Sequence, residues 1–185
     1  MDPRILERLI SNDTTLTEFR LYGKQIGVEG ARAVAAILEH NSTLTTLHLW
    51  SNNIGAEGAR YLATALERNS TLTVLFLESN NIGDGGARFL ATALERNSTL
   101  TELDLWDNHI GDEGARCFAT ALERNRTLTT LALGGSHIKD GRVRVSIDRS
   151  IRRNRAIQKA WRKGRRRKAL LLWVLWNGVR TRPRL

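Results

Sequence analysis

The sequence predicts an α/β solenoid, a right-handed coil whose short strands line up as one parallel inner sheet while its helices form an outer layer. Two observations carry the prediction. The stretch TLHLWSNNIG, Thr46 to Gly55, returns 28 residues later as VLFLESNNIG and again as ELDLWDNHIG. Aligned at that period, Leu16, Leu44, Leu72, Leu100 and Leu128 share a column, as do Phe19, Leu47, Leu75, Leu103 and Leu131, and then Leu21, Leu49, Leu77, Leu105 and Leu133. The columns Asn52, Asn80, Asn108 and Ile26, Ile54, Ile82, Ile110, Ile138 complete L-x-x-L-x-L-x-x-N-x-I over about five repeats of 28 residues. One such unit cannot bury its own apolar face, so the units must stack.

Within a repeat, alternation in TLHLW makes a short strand with one buried face. Gly55 and Gly58 then allow a tight turn into a helix, along which Ala59, Leu62, Ala63 and Leu66 recur at i, i+3, i+4 and i+7. Two alanines in that stripe let the helix lie close to the sheet. Asn69 is expected to end the helix in the left-handed conformation.

The array is predicted to occupy residues 16–140. Ahead of it, residues 1–15 form a helical cap, with Asp2 as N-cap, Pro3 in the first turn, and Leu6 and Ile10 in register with Val34 and Leu38. Residues 141–160 keep apolar spacing at Val143, Ile147 and Ile151, with Asn154 and Ile157 displaced by one position, and form a degenerate terminal repeat with room for a worn sixth strand. Residues 161–185 form a basic and apolar tail.

The motif, and the phrase IGxxGAxxLAxALExNSTL in particular, resembles the ribonuclease-inhibitor-like subfamily of leucine-rich repeats, seen also in NOD-like receptors and the Ran GTPase-activating protein. The resemblance spans about residues 1–140. It implies that Asn52, Asn80 and Asn108 form a structural ladder whose amides satisfy backbone groups where the chain leaves each strand; physically, buried backbone donors and acceptors must be paired. Lys24 and Ser136 break that column at the first and last repeats. GTPase activation is the one enzymatic role the resemblance implies, but the activator's tail is acidic and this one is basic.

Charge divides the chain. Of 29 Lys and Arg, 17 lie from Lys139 onward beside only Asp140 and Asp148, whereas residues 1–138 carry a net charge of −5. A basic tail with its own partner is thus appended to a mildly acidic body. No apolar run approaches the roughly 20 residues of a membrane-spanning helix. The N-terminal residues MDPRILERLISND lack the uninterrupted apolar region of a secretory signal. With Cys117 the only cysteine, these features predict an intracellular, cytoplasmic protein, with the basic run leaving the nucleus open.

If the strand leucines point inward, their neighbours face outward on the concave side of the sheet. These neighbours include Tyr22, His48, Trp50, Phe76, Glu78, Glu102, Asp104 and Trp106. Outward aromatics on a sheet roughly 20–25 Å wide, at ~4.8 Å per strand, fit a protein or peptide partner, and the three acids favour one with basic character. The plainer alternatives are that these aromatics are merely sheet-compatible or are covered by the chain's own tail. His48 and Asp104 are two strands apart, roughly 10 Å, too far for a base and its orienting carboxylate. His40, His109 and His137 fall on loops and make no metal-ligand spacing with Cys117. No phosphate-binding fingerprint is present. The chain is therefore expected to be non-catalytic, with no cofactor, metal or small-molecule substrate.

Three readings of the tail stay open. The run Arg162, Lys163, Arg165, Arg166, Arg167, Lys168 suits nuclear import or nucleic-acid phosphates, with Trp161 available for stacking. Ala169 to Trp176 suits an anionic membrane surface, being too short to cross one. The same apolar segment also suits closure of the solenoid's exposed end.

Overall fold

The computed structural model describes residues 3–162. In chain order the elements are α1 (Pro3–Ile10), β1 (Glu18–Arg20), α2 (Gly27–Leu38), β2 (Thr46–His48), α3 (Gly55–Arg68), β3 (Val74–Phe76), α4 (Gly83–Arg96), β4 (Glu102–Asp104), α5 (Asp112–Arg124), β5 (Thr130–Ala132) and α6 (Gly141–Arg162). The strands form one parallel sheet in the order β1-β2-β3-β4-β5, and their crossovers through the helices build a right-handed solenoid. Register steps by one repeat at each pairing: Phe19 faces Leu47, Leu47 faces Leu75, Leu75 faces Leu103 and Leu103 faces Leu131.

The core lies between sheet and helices. Leu47, Leu49, Leu75, Leu77, Leu103 and Leu105 have no exposed surface, and the helical stripe Ala59, Leu62, Ala63, Leu66 closes over them. Gly55 takes φ +65° at the turn into α3, a conformation that disfavours any side chain. Gly58 serves a different end from the turn expected of it. It lies inside α3 against α2, where an added Cβ would come within 3.0 Å of Ala31 Cβ.

Polar ladders hold the turns. Asn80 Oδ1 accepts from the Asn52 and Ile54 amides at 2.9 and 3.3 Å, while its Nδ2 donates to the Leu49 and Leu77 carbonyls at 2.8 and 2.9 Å. Asn52 and Asn108 are likewise fully buried and donate to Leu21 and Leu77. The ladder reaches past its missing first member, since Asn52 Oδ1 accepts from the Lys24 amide at 2.9 Å. At the other end, the Ser136 hydroxyl oxygen is buried and has no hydrogen-bond partner among the described residues.

A second ladder corrects the expectation for Asn69. Its backbone is extended (φ −70°, ψ 128°), not left-handed. Its Nδ2 donates back to Leu38 and Asn41 of the preceding repeat, and its Oδ1 accepts from the Thr71 and Leu72 amides of its own loop. Asn97 and Asn125 repeat this pattern. The residue is chosen for an amide that gives in one direction and takes in the other, and helix termination follows from the loop it shapes.

The ends depart from the periodic register. In α1 it is Leu9 that is buried, whereas Ile10 is 65% exposed. A terminal helix has a neighbour on one side only, so its rotation follows that single contact, fixed here by Asn41 Nδ2 donating to the Leu9 carbonyl at 2.8 Å. Asp2 lies outside the described residues. Residues 141–162 are helical throughout, with Val143, Ile147 and Ile151 buried. Arg153 stands one period after Asn125 and performs the donating half of the ladder: its Nη2 reaches the Leu122 and Asn125 carbonyls at 2.6 and 2.9 Å. Burial, reinforced by the Arg126 guanidinium nearby, brings the Arg153 pKa down to about 10. Asn154, fully buried beside it, donates to Asn125 and Leu128.

Candidate functional site

Each strand is three residues long with its central side chain turned inward, so the flanking side chains project from the concave face. The one-repeat register then stacks them into columns. Arg20, His48, Phe76, Asp104 and Ala132 form one column along the sheet. Two residues further on, the backbone bonds from Gly23 to Trp50, Ser51 to Glu78, Ser79 to Trp106 and Asp107 to Gly134 carry the same register into Tyr22, Trp50, Glu78, Trp106 and Gly134. All eight residues expected to face outward lie on this surface.

Their environments differ. Tyr22, Trp50 and Trp106 are 48%, 39% and 51% exposed. The Tyr22 and Trp50 rings stack with centroids 4.7 Å apart and planes 8° from parallel. Such a pair presents a flat apolar surface already held in one orientation. Phe76 is only half-buried rather than fully solvated, because the His48 ring stacks on it at 4.6 Å. His48 is itself held by Glu18, with Nε2 2.8 Å from Oε1, and Arg20 reaches the same oxygen at 2.8 Å. The hydrogen bonds from Arg20 and then His48 hold the Glu18 carboxyl below its ordinary range. Trp106 lies across Gly134, where any Cβ would collide with its indole; the close approach requires glycine there.

The acids sit between the aromatics. Glu78 occupies the column position between Trp50 and Trp106. Burial pushes its carboxyl up, and Asp104 and Glu102 push it the same way. Its Oε2 is buried and has no hydrogen-bond partner among the described residues. Burial also raises Asp104, against a hydrogen bond from the Trp106 amide at 2.9 Å. Such carboxylates lose least by meeting a partner's cation.

Glu18 and Arg20 belong to the same outward-facing set but are not among the contact residues that the sequence predicts. Their importance comes from the contact with His48 across a strand pair, and only the outward alternation of EFR hinted at it. The Glu18–His48 pair abuts Phe76, not a nucleophile. Among the described residues no group of three or more His, Cys, Asp or Glu could hold a metal ion. Arg162 is the last residue of α6, and Lys163, Arg165, Arg166, Arg167 and Lys168 lie outside the described residues.

Comparison with known proteins revises the resemblance drawn from the repeat motif. The family model that matches is the TMOD/LMOD leucine-rich domain, over residues 3–157. Among solved structures, leiomodin-1 actin-binding site 2 superposes with a TM-score of 0.81 at 30% identity, covering 90% of this chain and 96% of that one. The C-terminal domain of Caenorhabditis elegans tropomodulin gives a TM-score of 0.78 at 20% identity, covering 89% and 99%, and at that identity attests the fold alone. No curated protein matches. The ribonuclease-inhibitor-like assignment is therefore overturned. The phrase that suggested it encodes strand, turn and close helix packing, which any array of this geometry needs, and so does not separate one family from another. The family that matches is non-enzymatic and makes the chain a non-catalytic protein-binding module. On the strength of the match across residues 3–157, the chain belongs to the TMOD/LMOD leucine-rich domain family.

Proposed function

We propose that the chain binds actin, and that it does so on the concave face, with Tyr22, His48, Trp50, Phe76, Glu78, Glu102, Asp104 and Trp106 as its contact residues. The observation that carries the site is the exposed aromatic column, a stacked Tyr22–Trp50 pair and Trp106 separated by an under-solvated Glu78. Aromatics already held in place lose little side-chain freedom on binding, which is why Trp and Tyr dominate interface energetics. Support for actin as the partner is the likeness to a leiomodin-1 structure described as an actin-binding site. The acids select a basic patch on that partner. The reading places the protein in the cytoplasm; the basic run and the apolar segment on which the nuclear-import, nucleic-acid and membrane readings rest lie, Arg162 apart, outside the described residues.

Titration of the full chain against fluorescent actin tests this. Trp50→Ala together with Trp106→Ala is expected to weaken binding by at least about 30-fold, two hot-spot truncations at about 1 kcal/mol or more each, with unchanged circular dichroism. Unaltered affinity removes this face from the interaction. Absence of binding by the unmodified chain removes actin.

A further inference from the structure

The solenoid is finished at one level and open at another where it ends. In the interior, the Thr17, Thr45, Thr73 and Thr101 carbonyls each accept two backbone amides from the next repeat. At the last repeat, Thr129 O accepts from Arg155 Nε at 2.6 Å, so α6 replaces the donors of a following loop up to the entrance of β5. There the replacement stops. The Leu49, Leu77 and Leu105 amides each donate to the next strand at 2.9 Å, and the Ser51, Ser79 and Asp107 amides do so two residues later. Leu133 and Gly135 hold those places after β5, and among the described residues their amides meet no acceptor. The asparagine ladder is cut at the same point. Asn80 accepts from the Asn52 and Ile54 amides and donates to the Leu49 carbonyl. One period beyond the last ladder member the matching groups are the Ser136 and Ile138 amides and the Leu133 carbonyl, and no Asn of the described residues reaches them.

Leu131 and Leu133 are half-exposed, although Leu103 and Leu105 are completely buried. Beside them a cavity of about 280 Å³ is walled by Leu131, Leu133, Ile138 and Ile147. Cations stand at both of its ends. Arg155 is at the entrance on Thr129, and Arg144 is at the exit, where its Nη2 donates to the Ile138 carbonyl at 3.0 Å, with the acid Asp148 on the helix between them.

We infer that this edge binds an extended segment of a partner protein, which pairs with β5 as a sixth parallel strand and carries two alternate apolar residues, an Asn three positions after the second, and acids toward its ends. The site lies at the end of the solenoid and is independent of the concave-face reading. An edge with unused amides invites strand addition. Alternate side chains of a strand share one face, so two apolar ones cover Leu131 and Leu133 and enter the cavity together. The Asn is required because the open ladder offers two amides that need an acceptor and a carbonyl that needs a donor, and a side-chain amide is both whereas a carboxylate only accepts. The acids meet Arg155 and Arg144. A folded second copy cannot be the occupant with its own ladder repeats: Leu47, Leu49 and Asn52, and their equivalents in the next two repeats, have no exposed surface.

The synthetic peptide TELDLWDN, which is Thr101 to Asn108 of this chain, has the required pattern. In the fold that stretch sits on β3 in the proposed manner, with Asn108 Oδ1 accepting from the Asn80 and Ile82 amides at 3.0 and 3.3 Å. Titrated into the full chain, the peptide should bind saturably and slow hydrogen exchange at the Leu133 and Ile138 amides by about 10-fold or more, leaving the Leu77 amide unchanged. The same peptide ending in Ala should bind about 10-fold more weakly, since three hydrogen bonds are lost, and one with Asp in place of both Leu should not bind. Absence of saturation by about 1 mM peptide overturns the proposal. So does equal affinity for the peptide ending in Ala, or a Leu133 amide already protected before any peptide is added.

Discussion

A single Asn side chain in this molecule ties two repeats together, and Asn80 shows how. Its amide meets four buried backbone groups, from Leu49, Asn52, Ile54 and Leu77, and a fifth, the partly buried Glu78 carbonyl. Asn80→Ala leaves the buried Asn52 and Ile54 amides without their acceptor, whereas the Leu49, Leu77 and Glu78 carbonyls keep Asn52 Nδ2, Asn108 Nδ2 and the Ser51 amide. Each orphaned amide costs about 1–3 kcal/mol, with relaxation recovering part, so a loss of about 2–4 kcal/mol is expected in urea unfolding. The residue scale is also where the sequence was least legible. The Asn52 column announces itself by recurrence, whereas Asn69, which belongs to a second column with Asn41, Asn97 and Asn125, reads in the sequence as a helix stop. An Asn after a helix has two uses with the same spelling. Nor does spelling reveal that His48 is held by Glu18 over Phe76, because that contact is a product of register.

At the scale of the element, spacing between helices is set by glycine and alanine, and neighbouring glycines in α4 have opposite roles. An added Cβ at Gly86 would collide with the Ile82 side chain and approach Ala59 Cβ to 3.1 Å and Ala56 Cα to 3.2 Å. At Gly85 the nearest atom, Ala56 Cβ, is 3.7 Å away, an ordinary contact. Gly→Ala in a helix gains up to about 1 kcal/mol from backbone entropy, whereas overpacking costs about 1–3 kcal/mol. Gly85→Ala should therefore raise the melting temperature by a few degrees, and Gly86→Ala should lower it. Equal effects would show that α3 and α4 can separate without penalty. The strands and the repeated helices were legible in the sequence because a period of 28 repeats each signal. The ends were not, as Ile10 and the helical run through residues 141–162 attest, since a terminal element answers to one neighbour and its residues have no column to belong to.

Over the whole molecule the contacts are between nearest neighbours in the stack: α2 with α3, α3 with α4, α4 with α5, and α5 with α6. The ion pairs follow the same rule, with Arg68 on Glu39, Arg96 on Glu67 and Arg124 on Glu95. Stability is then close to a sum over units and interfaces. Excising residues 70–97 joins Asn69 to Ser98 and restores the NSTL phrase, with Glu67 in place to meet Arg124. The shortened chain should fold cooperatively with an unchanged circular dichroism signal per residue. It should lose about 2–4 kcal/mol, at the typical stability per residue. An excision of 27 residues should not fold, since it turns every later side chain to the wrong side. If both excisions fold equally well, register does not determine this structure.

Arg153 carries a consequence of its own. Asn125 donates a hydrogen bond to the turn before it and accepts one from the turn after, so each such residue shapes the bend that leads to its successor. A guanidinium can only hand over; it has no oxygen with which to receive. The neighbouring Asn154 has an oxygen, but Arg153 itself occupies it, and the amides downstream stay in the coil of α6. Where a guanidinium stands in the amide's place, a chain that has repeated itself five times runs straight on.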